Sequence, residues 1–385
     1  MNELLRELNS PIPHHLNDEC HSISQADVRS AIGKLKSSKS DGNKGMFTNH
    51  LIHGTPRLQV CMALLFNSMV KHACIPSDFS ISTLIPIQKN KKKSLNVSDN
   101  YRAIALSSIF GKVLDHILLV NCSGAFTTTD YQFGFKPRHS TSMCTFAVNE
   151  TINHYIQGGS DVYCTLLDAS RAFDRVQYVM LFRSLIKKGI CPVVCRFLAF
   201  LYTSQCIRIK WCNTLSNPCS ILNGVKQGGV MSPILFSVYI YGLLCWLSDQ
   251  GVGCRVEHVF LGAFAYADDL ILLAPTLHAT KFMLRVCEQY ANEFSIMFNA
   301  AKSKLIIQSK NVSSCNVTPI VSFMNGNIEV VHSDKHLGNI IGNVKQVDIV
   351  QNIVNELKTK TNMVKFQFKN LPPHLKPVNG KRFNA

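Results

Sequence analysis

A chain of 385 residues is long enough to bury a substantial core in two or three subdomains, and 46% hydrophobic against 17% charged residues excludes a disordered chain. Forty Lys and Arg against 24 Asp and Glu leave a formal charge of +16, which points to a polyanionic partner, either nucleic acid or an anionic membrane surface. The fifteen cysteines exclude a disulfide framework: their number is odd, their spacing irregular, and no Cys-x-x-Cys occurs, so reduced thiols in an intracellular protein are expected.

The opening "MNELLRELNS" has no long apolar core and does not read as a signal peptide. "HHLNDECH" (His14, His15, Cys20, His21) offers zinc-type donors without a second half, and reads as a solvated His-rich stretch. In "SQADVRSAIGKLK" the residues Val28, Ile32 and Leu35 share one helical face, with Ser24 as N-cap. A basic loop, "KSSKSDGNKGM", separates it from a second apolar-faced helix in "LQVCMALLFNSMVKHA". "ISTLIPI" predicts a short strand. Four lysines follow within residues 89–93, and the run reads equally as a solvated loop or a phosphate contact. "SSIFGKVLDHILL" resumes a helical period.

"DVYCTLLDASRAFD" predicts an apolar strand that ends at Asp168. Residues 230–247, "VMSPILFSVYIYGLLCWL", are uncharged; Ser232-Pro233 as a helix start and the absence of a basic flank favour a buried core helix over a membrane span. "HVFLGAFAYADDLILLAP" suits a hairpin turning near Ala267-Asp268. An amphipathic helix, "HATKFMLRVCEQYANEFSIMFN", leads to the strand "SKLIIQ". This order predicts an α+β fold with helices on one face of an antiparallel sheet. From residue 355 the tail carries seven basic residues and one acidic one, with Phe366, Phe368 and Phe383 among them, a mix that suits a helix along a nucleic-acid backbone or an uninvolved cationic terminus.

Asp168 and the pair Asp268-Asp269 lie one hundred residues apart, yet both interrupt apolar strands. If the strands are neighbours, three carboxylates converge, and buried anions repel unless cations lie between them. Hard oxygen donors suit Mg²⁺, and two such ions about 4 Å apart clamp the attacking and leaving oxygens of a phosphoryl transfer.

"LLDASRAFDRV", "GVKQGGVMSPILF" and "FAYADD" resemble, in order and spacing, the palm motifs of reverse transcriptases. The flanking "LIPIQKNKKKSLNVSDNYRAIALSSIFGKVLDHIL", "YQFGFKPRHST", "FNAAKSKLIIQ" and "SDKHLGNIIG" narrow the resemblance to the non-LTR retrotransposon type, LINE-like and jockey-like, over about residues 24–345. The resemblance implies a right-hand polymerase fold: an N-terminal extension at 1–73, fingers at 74–160, and a palm at 161–308 with an interleaved fingers segment near 178–222. A primer-grip hairpin region at 309–345 and a partial thumb at 346–385 would follow.

It further implies RNA-directed DNA synthesis with two Mg²⁺ ions (or Mn²⁺), an RNA template, a DNA primer and dNTP, no membrane, and a nuclear or ribonucleoprotein-associated location. Asp168, Asp268 and Asp269 would be the catalytic, metal-binding carboxylates, with the Ala169 carbonyl as a further ligand and Asp268 facing Asp168. Phe173 would be the steric gate against a ribose 2′-OH; without the motif, plain core packing is the preferred reading of a phenylalanine there. Gln227 and Gly228 would line the nucleotide pocket. Arg102 and Lys89 would hold the triphosphate, with Lys91 to Lys93 as rivals to Lys89. Lys302 reads as a proton donor to pyrophosphate or as a plain strand-start lysine, and Asp174 and Tyr266 as structural.

Ala103 stands where such proteins usually carry proline, and Gly229 where a larger residue follows Gln-Gly. Neither an upstream endonuclease nor a downstream Cys/His knuckle is found, so the expectation is a truncated or isolated element-derived frame. Two other classes stay open, a catalytically silent nucleic-acid-binding remnant and a metal-dependent phosphodiesterase.

Overall fold

The computed structural model describes residues 22–41, 45–90, 94–310, 319–342 and 346–367. The His/Cys cluster at 14–21, Lys91 to Lys93, Phe368 and Phe383 lie outside them. Helix α1 (Gln25–Gly33) starts as predicted: the Ser24 side chain caps the Asp27 amide and Asp27 returns the bond, a capping box. It packs on α3 (Pro56–His72), beyond the one-turn α2 (Thr48–Ile52), and a short α4 (Ser77–Ser80) leads into the first sheet.

In that sheet β1 (Ile81–Gln88) lies between β2 (Tyr101–Leu106), antiparallel, and β4 (Cys206–Trp211), parallel. Strands β5 (Thr214–Leu215) and β6 (Cys219–Ser220) pair back on β4. About a hundred residues separate β2 from β4; they include α5 (Ile109–Asn121), α6 (Thr141–Gln157), β3 (Val162–Leu167), α7 (Tyr178–Lys187) and α8 (Pro192–Thr203).

The second sheet carries the predicted hairpin. Its order is β12 (Val321–Phe323), β13 (Gly326–Val331), β11 (Lys304–Gln308), β3, β10 (Asp269–Ala274), β9 (Ala263–Tyr266). All pairs are antiparallel except β11 with β13. Small hairpins flank it: β7 (Arg255–Val256) with β8 (Val259–Phe260), and β14 (Ser333–His336) with β15 (Asn339–Gly342).

The expectation of helices on one face only does not hold. Leu167, Leu270, Leu272 and Leu305 pack in one core with α9 (Ser232–Asp249) and α10 (Leu277–Phe294). On the opposite face Cys164, Leu166, Ile271, Leu273 and Ile306 meet Cys144, Val148 and Ile152 of α6. The cause is visible in the strands: β3 and β10 are near-continuous apolar runs rather than alternating ones, so both faces demand cover.

Helix α9 begins at Ser232 with Pro233 in its first turn, one residue off the cap expected at Ser232. It is long and apolar enough to span a membrane, but Leu235, Phe236, Tyr239, Leu243, Leu244 and Leu247 are all buried in the protein core. Its polar atoms are satisfied: the Tyr239 hydroxyl donates to the Phe294 carbonyl, and Tyr290 donates to the Tyr239 carbonyl at 2.7 Å. Helix α11 (Gln346–Gln367) ends the described chain, with Leu357, Met363 and Phe366 exposed.

Candidate active site

Strand β3 delivers Asp168 one residue past its last ladder pair, and the backbone there is fixed twice. The Asp168 amide donates to Ser303 Oγ (3.2 Å), and its carbonyl accepts from the Asn299 amide (2.9 Å). Ser303 is fully buried, and its hydroxyl donates a hydrogen bond to the Asn299 carbonyl (2.8 Å). Ala169, next in line, bridges to Phe298, and the Ser170 amide donates to Met297. The loop before β11 thus holds the end of β3 in place.

The hairpin turns where the sequence predicts. Tyr266 and Asp269 form its closing pair, leaving Ala267-Asp268 as a two-residue turn with Ala267 at φ 61°. Leu270 pairs with Leu167, so the register carried one residue further sets Asp269, rather than Asp268, across from Asp168, with Asp268 in the turn beside them. The carboxylates feel one another. Burial raises the Asp268 pKa and the Asp168 charge adds to it, against its own backbone hydrogen bond and the positive charge of Arg102. Asp269 is pushed up to about 6, first by burial and then by Asp268 and Asp168.

Asp168 Oδ2 is enclosed and has no hydrogen-bond partner among the described residues; Lys302 Nζ lies 3.7 Å away. An enclosed, unbonded carboxylate oxygen beside two carboxylates that resist ionising together is a donor set short of positive charge. These oxygens fit Mg²⁺. The side chains are not drawn together as a finished cage: among the described residues no three His, Cys, Asp or Glu groups form a preformed metal cluster.

Phe173 is half-buried, stacked on Phe236 (centroids 4.8 Å, 19°) and edge-on to Phe135 (6.4 Å). The loop at Gln227 docks on β2, where the Ala105 amide donates to the Gln227 carbonyl (2.8 Å). Gly228 has φ 98°, and a Cβ there would stand 3.2 Å from the Ala105 carbonyl, so the close approach that requires glycine is to β2. Arg102 is exposed on β2 and acts electrostatically on Asp268.

Lys89 is engaged elsewhere. Its ammonium donates to the Asp99 carbonyl (3.0 Å), while the Asp99 carboxylate pairs with Arg171. Asp174 keeps part of its surface in solvent, and the partial burial of its carboxyl raises its pKa against the charges of Arg171 and Lys89.

Sequence reasoning missed several residues. Ser303 and Asn299 position Asp168, whereas in the sequence the motif around them points to Lys302 alone. Lys226, beside Gln227, donates to Ser82 Oγ (2.6 Å) and faces Asp115; burial lowers Lys226 to about 8 and raises Asp115 to about 7, each opposed by the other's charge. Gln132, within "YQFG", reaches the hairpin turn itself: its Oε1 accepts from the Ala267 amide at 3.1 Å.

Residues 87–319 match the family described as reverse transcriptase (RNA-dependent DNA polymerase). Among curated proteins, the chain is 25% identical over 336 residues to the RNA-directed DNA polymerase from mobile element jockey of Drosophila funebris, covering 83% of this chain and 35% of that protein. It is 26% identical over 350 residues to the jockey polymerase of Drosophila melanogaster, covering 85% and 36%. To the Pol polyprotein from the type-2 retrotransposable element R2DM of Drosophila melanogaster it is 23% identical over 319 residues, covering 82% and 29%. The chain spans about a third of the length of these relatives. The matched stretch takes in Asp168, the Gln227-Gly228 loop and the Asp268-Asp269 turn, and the chain belongs to the reverse transcriptase family.

Proposed function

We propose that this chain carries out RNA-templated DNA synthesis, joining a dNTP to a primer 3′-OH with release of pyrophosphate. On this reading the six-stranded sheet is the palm, and the sheet of β1, β2 and β4 belongs to the fingers. The β14–β15 hairpin is the primer grip and α11 the start of a thumb. The return of β4 to pair with β1 supports an interleaved fingers segment within the palm sequence. The observation that carries the reading is the meeting of Asp168 with Asp268 and Asp269 across the β3–β10 ladder.

The residues then divide the work. Asp168, Asp268 and Asp269, with the Ala169 carbonyl, would hold two Mg²⁺ ions, which supply positive charge to activate the 3′-OH and offset the charge of the departing pyrophosphate. Ser303 and Asn299 fix the backbone of Asp168 so that its carboxylate is aimed without reorganisation. Arg102 faces the same space from β2 and would bind the triphosphate; Lys89 would join it only on release from Asp99. Lys302, whose ammonium lies 3.7 Å from Asp168, would donate a proton to pyrophosphate. The Phe173 ring, braced by Phe236, would exclude a 2′-OH.

Primer extension on poly(rA)/oligo(dT) with Mg²⁺ or Mn²⁺ tests this, with Asp268→Ala as control. Extension by the wild type and none by the variant is expected. Normal salt-sensitive template binding without any extension would overturn the catalytic reading in favour of a nucleic-acid-binding remnant.

A further inference from the structure

The segment Tyr131–Gly134 runs along the outer edge of β9, where Tyr131 and Phe133 are held by backbone bonds to Ala265. The Ala265 amide donates to the Tyr131 carbonyl (2.8 Å), the Phe133 amide donates to the Ala265 carbonyl (2.7 Å), and Gln132 bridges Ala265 in parallel register. The Gln132 side chain is therefore not needed to dock the segment. It is fully buried, and Oε1 accepts two backbone amides, Gly134 at 2.8 Å and Ala267 at 3.1 Å. Two donors fix the carboxamide orientation, since Nε2 in their place would set donor against donor. Nε2 itself is enclosed, with no partner among the described residues.

The Ala267 amide is the first of the two-residue turn, in a left-handed residue at φ 61°. It points off the ladder closed by Tyr266 and Asp269, and Gln132 gives it its acceptor. Gly134 completes the fit: a Cβ there would stand 2.3 Å from the Ala267 nitrogen, so the segment presses directly on the turn. Packing alone would have chosen an apolar side chain at a site this deep. An amide with one end spent on the turn and the other unbonded marks a site where the hydrogen bond matters more than burial.

We propose that Gln132 is a positioning residue for the reaction: through the Ala267 amide it fixes the turn so that Asp268 and Asp269 are presented to Asp168. The proposal rests on the polymerase reading for its consequence, and on the hairpin geometry for its cause.

Two near-isosteric variants separate bonding from packing. Gln132→Met fills the space without an oxygen, and Gln132→Glu keeps one. Three quantities are measured: hydrogen exchange at the Ala267 amide, Mn²⁺ binding by calorimetry without template or nucleotide, and kcat with KM for dTTP on poly(rA)/oligo(dT). In Gln132→Met the Ala267 amide should lose protection while β3 and β10 keep theirs. Mn²⁺ affinity and kcat should each fall on the order of 10- to 100-fold, with KM little changed, and Gln132→Glu should recover most of the loss.

Unchanged Ala267 exchange and Mn²⁺ affinity in Gln132→Met, or a loss confined to KM, would overturn the proposal. Should Gln132→Met fail to fold, Gln132→Asn, which draws the carboxamide back by one methylene, must show the same losses, and wild-type behaviour there would overturn it equally. A wild type that binds Mn²⁺ but extends no primer would defeat the polymerase reading, while exchange and Mn²⁺ binding would still decide the role of Gln132.

Discussion

Acid should selectively loosen the β14–β15 hairpin through His336. This side chain is 8% exposed, and Nε2 is enclosed without a hydrogen-bond partner among the described residues. Burial lowers its pKa from 6.5 to about 4, with Asp334 only partly opposing. The unfolded chain takes up this proton near pH 6.5, the folded chain near pH 4. Between those values the unfolded state binds more protons, so the stability present above pH 6.5 is lost as pH falls toward 4. Between pH 7.5 and 4.5 the loss from this one group is about 2.5 kcal/mol. Strand β14 pairs His336 with Asn339, and Asn339 Nδ2 donates to Thr145 Oγ1 on α6 (3.2 Å), so the strain falls where the hairpin joins the sheet's second face. Urea unfolding of the wild type and His336→Gln at both pH values reads it directly, because every other titrating group is common to the two proteins. The wild type should lose about 2.5 kcal/mol more than the variant on acidification. Equal losses would refute the reasoning.

Other substitutions test the centre itself. Phe173→Ala should raise kcat/KM for ribonucleotides relative to deoxynucleotides; an unchanged ratio in an active enzyme would leave Phe173 as a packing partner of Phe236 and nothing more. Ser303→Ala removes the acceptor of the Asp168 amide and the donor to the Asn299 carbonyl at a fully buried site, so urea unfolding should show a loss of about 1–3 kcal/mol. A change within about 0.5 kcal/mol, the level of an ordinary surface substitution, would show that neither bond holds the strand end. Gly228→Ala forces a side chain into φ 98° and against the Ala105 carbonyl, which should cost about 1–3 kcal/mol and raise KM for dNTP; a wild-type KM would detach the Gln227-Gly228 loop from nucleotide binding.

The carboxylate centre was legible because its signals are local. An apolar run broken by aspartate marks a strand end, and two aspartates between apolar flanks mark a turn. Both readings survive in Asp168 and in the Ala267-Asp268 turn. The pairing of β3 with β10 needed the resemblance, since nothing in either strand names its neighbour. What stayed hidden depends on partners far off in the chain. Ser303 looks like any strand-start serine until the fold brings it to Asp168, and Gln132 lies 135 residues from the amide it holds. Helix α6 on the second face was missed for another reason. Its buried Cys144, Val148 and Ile152 follow the expected spacing, but the strands they cover were read as one-sided. Lys89 shows the opposite limit: the motif marks the position, while the ammonium here is committed to Asp99.

The clamping of β9 on both edges also governs how this domain can change length. A residue inserted between Tyr131 and Gly134 would shift Gln132 off Ala267 or drive a side chain into the turn, with no slack to absorb it. The β4–β5 turn at Cys212-Asn213 is exposed and can lengthen at little cost. Insertions and deletions should therefore gather at such tips, while the spacing of "YQFG" drifts as little as the aspartates it serves.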